Sequence, residues 1–564
     1  MSQVLAWGFL LVIPGLLLGS TGAVKRPGLA SIPGVAVLLS ISIAWLAGAG
    51  QPATVELDNW LPFLPDGRFL LRVDALSAFM LAVLGLVAIC VYVYSLGYME
   101  GDPGIRRFFA FLDVFVGAMA LLVVAGNLAV LLIGWTGVGM TSYFLISFWR
   151  EKPRTLNAGL QAIAANAVGD AALILTAVVV PSGCGDLTTL QTPSCTAGIG
   201  GAALLAALLI VAASAKSAQG PLYFWLPSAM AGPTPISALI HAATMVAAGV
   251  YLLARTQLVL SLSPIALSAV AALGVATALF GAVMALRQSN LKKGLAYSTV
   301  SQLGYMFAAI GFSAPFAAIF HLGSQAMFKA LLFLSAGAVI HALGGKEELS
   351  DMGDLARHMP GVRLAFLVGA CSLFGFPLTA GYFSKDAIVD AGLERFPALA
   401  WLLVIGVLLS GWYIGRLFFA TFHGKASQAA GERQLHPISR LLTWPLVPLA
   451  AGSVLFGYVN FPSGWLARLL VPTTSASTSQ PFITGAGVVA LALGLIGFAG
   501  AGWWEQRQAR SVAALPRPSW TDWAGAASVK LSTSVAAIQN GRTGRYVLAT
   551  VLGLAVILVA GLKG

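Results

Sequence analysis

The chain has 564 residues, of which 58% are hydrophobic and only 9% charged, and its mean hydropathy is +0.87. Soluble domains carry about 25% charged residues, so the composition excludes a soluble enzyme and leaves a polytopic membrane protein. The formal charge of +12 raises nucleic-acid binding as a candidate, and the placement of the basic residues removes it.

A helix needs about 20 apolar residues to cross the hydrocarbon. Sixteen such runs follow one another near 4–20, 29–49, 75–98, 108–126, 128–149, 159–181, 200–219, 236–256, 264–286, 293–313, 316–343, 363–388, 397–421, 441–461, 482–503 and 546–562. The first has neither a charged leader nor a small-residue cleavage site and reads as a retained helix. An all-α polytopic membrane fold of about sixteen transmembrane helices is therefore expected. With both termini outside, 23 of the 32 Lys and Arg residues face the cytoplasm, six face outward and three lie inside apolar runs. That is a positive-inside pattern. It predicts a multi-pass protein of the cell (inner) membrane with both termini periplasmic, and no nucleic-acid partner.

Cys90 and Cys371 sit in apolar runs and read as packing residues. Cys184 and Cys195 share the long loop between the sixth and seventh runs. That loop is outside in this topology, and whether the two are bonded stays open.

An ionisable group at membrane depth costs about 2.5–3.5 kcal/mol on insertion scales and marks function by default. Lys216 closes the seventh run, Lys329 lies in the middle of the eleventh and Lys385 lies late in the twelfth; Asp113, Asp170 and Asp386 supply acid, and His241, His321 and His341 occupy the eighth and eleventh runs. The bland reading is that Lys216 and Lys385 snorkel to the interface and the histidines are satisfied core residues. Against it, Gly220 and Pro221 follow Lys216, and Gly375 and Pro377 precede Lys385. Broken helices are tolerated where they are buried in protein or line a water-filled path, and mark transporter sites. The stretches 108–256 and 264–421 hold five runs each, so two repeats of opposite orientation are expected. Burial disfavours a charged lysine and a nearby carboxylate restores it, so a row of lysines joined by His, Ser and Tyr can pass protons. No CxxC, P-loop or strand-linked GxGxxG occurs, and no cofactor is expected in this chain.

Four stretches carry a family resemblance: KSAQGPLYFWLPSAMAGPTPISALIHAATMVAAGVYLLAR (216–255), KKGLAYSTVSQLGYMFAAIG (292–311), FKALLFLSAGAVIHALGG (328–345) and GFPLTAGYFSKDAI (375–388). They resemble the largest antiporter-like subunit of proton-pumping NADH:quinone oxidoreductase (respiratory complex I), called L in bacteria and 5 in mitochondria. Relatives include the large subunit of sodium/proton antiporters and subunits of membrane hydrogenases. The resemblance implies two inverted five-helix repeats with broken helices seven and twelve, then a lateral amphipathic helix and an anchor helix. It implies proton carriage by Lys216, Lys329 and Lys385, assisted by His241, His321, Asp170 and Asp386. It also implies a translocase role as a subunit, with FMN, iron–sulfur clusters and quinone held by partner subunits of the membrane and peripheral arms.

The implied divisions are 1–100 (three helices), 101–258 and 259–424 (the repeats), 425–517 (further helices) and 518–564 (a short lateral segment and anchor). The only lateral candidate, 518–543, reaches no more than about 39 Å, shorter than such a helix in the family. The family's GWEGVG reads GWTGVG here, with Thr136 at the glutamate, and no glutamate lies within a predicted run. Gln325, Ala167 and Ser228 replace the family's histidine, arginine and aspartate, while Asp113 stands where asparagine is usual. Either Asp113 takes over pairing with Lys216, or the intake half of the path is altered. The alternative function is a proton- or sodium-conducting subunit of a non-redox complex, such as inorganic-carbon uptake or cation/proton antiport, or of a membrane hydrogenase.

Overall fold

The first fifteen predicted runs all coincide with helical segments in the computed structural model, which describes residues 1–21, 28–48, 50–57, 68–181, 183–192, 195, 202–424, 435–470 and 484–508. The lateral segment 518–543 and the sixteenth run lie outside the described residues. The longer elements are α1 (Ile13–Thr21), α2 (Gly28–Ala47), β1 (Ala53–Leu57), β2 (Phe69–Val73), α3 (Ala75–Tyr98), α4 (Ile105–Val124) and α5 (Leu128–Ile146). They continue as α6 (Pro153–Val179), α7 (Ala202–Lys216), α8 (Thr234–Ala242), α9 (Met245–Arg255), α10 (Pro264–Leu286), α11 (Leu291–Gly311) and α12 (Pro315–Ala342). The last are α13 (Pro360–Phe374), α14 (Ala380–Arg395), α15 (Pro397–Phe422), α16 (Leu446–Leu455) and α17 (Gly485–Gln508). Among the described residues eleven helical stretches are long and apolar enough to cross a membrane, α8 and α9 together forming one of them.

The helices start where the sequence supplies caps. Asp74, Asn127, Ser263 and Asn290 accept a backbone N–H from the first turns of α3, α5, α10 and α11, which satisfies one of the donors a helix start leaves over. Pro153, Pro315, Pro360 and Pro397 open α6, α12, α13 and α15, where their missing N–H costs nothing.

Three features depart from the expectation. The first run is a short helix, a 3-10 turn and α1 rather than one helix. The region before α3 holds an antiparallel hairpin, with Ala53 opposite Val73 and Leu57 opposite Phe69; strands of five residues are invisible to a search for membrane-length runs. Helices α14 and α17 also extend past their predicted ends, which brings Asp390, Glu394 and Glu505 onto helices.

The bundle is built around α12 and the α8–α9 span, both fully buried, while α2, α6, α10 and α17 turn apolar side chains such as Val37, Leu175, Ile265 and Ile496 outward. Helix α10 lies along α11, and α15 along α17. A side chain at Gly304 would start 2.5 Å from both Gly274 O and Ala278 N, so small residues let the α10 and α11 backbones meet closely. Helix α7 stops at Lys216 before Gly220–Pro221, and α13 gives way to α14 through Gly375 at φ +90°. A third interruption, between α8 and α9, has no Gly or Pro: Thr244 leaves the helical region at φ −119°, ψ −105°, and its hydroxyl donates to Leu239 O at 2.9 Å.

Candidate functional site

The intramembrane cations sit beside the interruptions and in the middle of α12. Lys216 ends α7, His241 precedes the α8–α9 break, Lys329 lies midway along α12 and Lys385 lies one turn into α14; all four are buried. Lys329 Nζ donates to Ser298 Oγ at 2.5 Å. His321 bridges Ser384 Oγ (Nδ1, 2.9 Å) and Gln302 Oε1 (Nε2, 3.2 Å), and Gln302 in turn donates to the Tyr413 hydroxyl at 3.3 Å. Lys385 Nζ lies 5.1 Å from the Tyr305 ring centroid and has no hydrogen-bond partner among the described residues.

One face of α11 therefore supports the second half of the row: Ser298 holds Lys329, Gln302 holds His321 and Tyr305 lies under Lys385, at helical spacing. None of these three was singled out from sequence. The signal was present as the polar cluster YSTVSQLGY inside an otherwise apolar run, where such residues cost more than packing alone explains.

The first half is less continuous. Lys216 Nζ donates to Trp135 O at 3.0 Å, beside the Trp135 ring at 5.3 Å. Asp170 is its acidic neighbour, although the two form no direct ion pair among the described residues. Both ring nitrogens of His241 lack partners among the described residues, its ring lying 4.5 Å from that of Phe333. Thr136 is exposed, and its hydroxyl donates to Leu132 O of its own helix at 2.8 Å, so the chain at this turn meets Lys216 through backbone and tryptophan instead.

Asp113 is not drawn towards Lys216. Its carboxylate accepts from Ser31 Oγ of α2 at 2.9 Å and from the Tyr92 hydroxyl of α3 at 2.5 Å, forming a separate buried cluster on the far side of α4. Pairing of Asp113 with Lys216 is therefore not the arrangement found. Asp386 accepts from Thr484 Oγ1 at 3.0 Å rather than from Lys385. His341 stacks loosely on Tyr98, 5.9 Å between rings, at the end of α12 and apart from the row.

Chemically the arrangement offers buried groups that can donate and accept protons. Among the described residues no group of three or more His, Cys, Asp or Glu side chains could hold a metal ion. Cys184 and Cys195 are joined by a disulfide, Cα–Cα 5.7 Å, closing the loop between α6 and α7.

Comparison with known proteins finds relatives along most of the chain. The family described as NADH:quinone oxidoreductase/Mrp antiporter, transmembrane part, matches residues 125–410, and that described as NADH-ubiquinone oxidoreductase (complex I) chain 5 N-terminus matches 65–109. NADH-ubiquinone oxidoreductase chain 5 of Metridium senile is 41% identical over 74% of this chain and 72% of its own length. NADH-quinone oxidoreductase subunit L of Mycobacterium tuberculosis (strain H37Rv) is 39% identical over 78% and 71%. Among solved structures, a chain of the Mrp complex from Dietzia sp. DQ12-45-1b superposes with a TM-score of 0.78 at 27% identity, covering all of this chain and 62% of that one.

Proposed function

The chain belongs to the NADH:quinone oxidoreductase/Mrp antiporter family, and from that we propose that it is a proton-translocating membrane-arm subunit of an NADH:quinone oxidoreductase. Electron transfer in partner subunits drives it; FMN, iron–sulfur clusters and quinone belong to those partners. The observation that carries the reading is the buried row Lys216, His241, Lys329, His321 and Lys385, whose second half is lined by hydroxyl and amide side chains. Lys329 and Lys385 alternately take up and pass on the proton, with His321, held by Gln302 and Ser384, as the carrier between them. Asp170 tunes Lys216, and Asp386 receives the proton beyond Lys385. The altered turn at Thr136 and the separate Asp113 cluster leave the intake half more dependent on Asp170. The segments 101–258 and 259–424 act as the two repeats, preceded by 1–100 and followed by 425–517 and 518–564.

Both termini lie on the outer side. The positive-inside pattern supports this, as does the Cys184–Cys195 disulfide, since such bonds persist in oxidising compartments. The likeness to the Mrp chain supports a second reading, cation/proton antiport in a non-redox assembly.

The test is the assembled complex in native membrane vesicles. Lys329→Met is expected to lower NADH-driven proton pumping by at least about tenfold, the lower end of what a positioned acid–base group contributes being larger still. Pumping at the parental level would overturn the proton reading, and purification without NADH oxidation would favour antiport.

A further inference from the structure

Beyond Lys385 the structure contains a junction between α14, inside the segment matched to the family, and the start of α17, outside it. A cavity of about 20 Å³ opens between the α13–α14 break, α15 and α17, lined by Gly375, Lys385, Asp386 and Gly487 among others. That is room for one water molecule. Lys385, which lines this space, is 4% exposed, and its Nζ is unpartnered among the described residues. Beside it Thr484 precedes α17: its Oγ1 accepts the Gly487 N–H at 2.9 Å and donates to Asp386 Oδ1 at 3.0 Å. Asp390 lies four residues further along α14, on the same helix face as Asp386 and so next in line from Thr484. Gly487 has no side chain where one would collide with the Asp386 carboxylate; even the carboxyl carbon would be only 3.1 Å away.

We propose that Thr484 is a proton-passing hydroxyl that connects Asp386 to Asp390 and so forms the outlet of the Lys385 end of the row. This rests on the reading that Lys385 carries protons. The exchange balances atom by atom. With Asp386 protonated, its O–H bond breaks and a bond forms to Thr484 Oγ1. The original Thr484 O–H bond breaks as its proton bonds to an Asp390 oxygen. No electrons leave the set. The new O–H then points at Asp386, the orientation seen, and it turns towards Asp390 before the next transfer. The N–H of Gly487 holds the oxygen in place throughout, and Glu394 stands one turn beyond Asp390. The groups that face Asp386 are Lys385, Asp390 and Tyr382 of α14; the lining from α13, α15 and α17 (Phe374, Val407, Ala490) is uncharged.

The experiment compares Thr484→Val, Thr484→Ser and Lys385→Met in the assembled complex, measuring protons pumped per NADH oxidised from pH 6 to 9. Valine keeps the shape and removes the hydroxyl; serine keeps the hydroxyl and removes a methyl. The expected result is a severalfold loss of pumping and an altered pH profile in the valine variant, with serine near the parent. Equal behaviour of valine and serine, or valine pumping like the parent, overturns the proposal while a dead Lys385→Met leaves the proton reading standing. A fully active Lys385→Met overturns the reading itself. If the valine variant does not assemble, Gly487→Ala supplies the same comparison: it is expected to shift the pH profile by displacing Asp386, and an unshifted profile counts against the proposal.

Discussion

Lys329 is held by one hydroxyl. Ser298→Ala would leave its ammonium buried without that acceptor, at a cost of about 1–3 kcal/mol, read as a lower thermal midpoint of the assembled complex; an unchanged midpoint would mean that Lys329 has other support. Asp113→Asn is expected to pump better than Lys216→Met, because the Asp113 carboxylate is engaged by Ser31 and Tyr92 rather than by the row. Equal loss in the two variants would restore Asp113 as the partner of Lys216. The lysines were legible in the sequence because a charge inside an apolar run is conspicuous. Ser298, Gln302 and Ser384 were not, since hydroxyls and amides are common in membrane helices and only packing shows which of them face the row. Thr484 was out of reach for another reason: 98 residues separate it from Asp386.

Among elements, the breaks at Gly220–Pro221 and Gly375–Pro377 were readable from composition. The break at Thr244 was not, because a threonine in a helix usually bonds back to the preceding turn without ending it. The contact of α10 with α11 is equally specific: Gly304→Ala places a methyl against Gly274 O and Ala278 N. It should destabilise by about 1–3 kcal/mol through overpacking, seen as lower heat stability in detergent. At the N-terminal end of α11, Lys292 donates to Glu347 at 2.9 Å and to Gly232 O at 3.1 Å, tying the loop after α12 to the approach to α8. Burial raises the Glu347 carboxyl, but Lys292, Asn290 and Arg154 outweigh it and hold it below the usual carboxylate range. A depressed carboxyl stabilises the fold above its unfolded value, and that contribution fades as pH falls through the lower folded value. Glu347→Gln should therefore lower the midpoint near neutral pH and differ less from the parent in acid; a constant difference would show that the pair is not the cause.

Across the whole molecule, the fold class was legible from hydropathy, whereas which helices lie at the centre was not, since the buried α12 is less apolar by composition than the half-buried α10. The placement of the row has an electrical consequence. Lys216, Lys329 and Lys385 sit at interruptions or midpoints of their spans, so under the proposed function a proton passed among them would move chiefly sideways, across the membrane field rather than along it. That sideways leg does no work against the membrane potential. The full cost, about 2.3 kcal/mol per elementary charge for each 100 mV, falls on the legs that connect the row to either surface. A variant that slows only the sideways leg should thus show the same fractional loss at every imposed potential, while one that slows an outer leg should worsen as the opposing voltage rises.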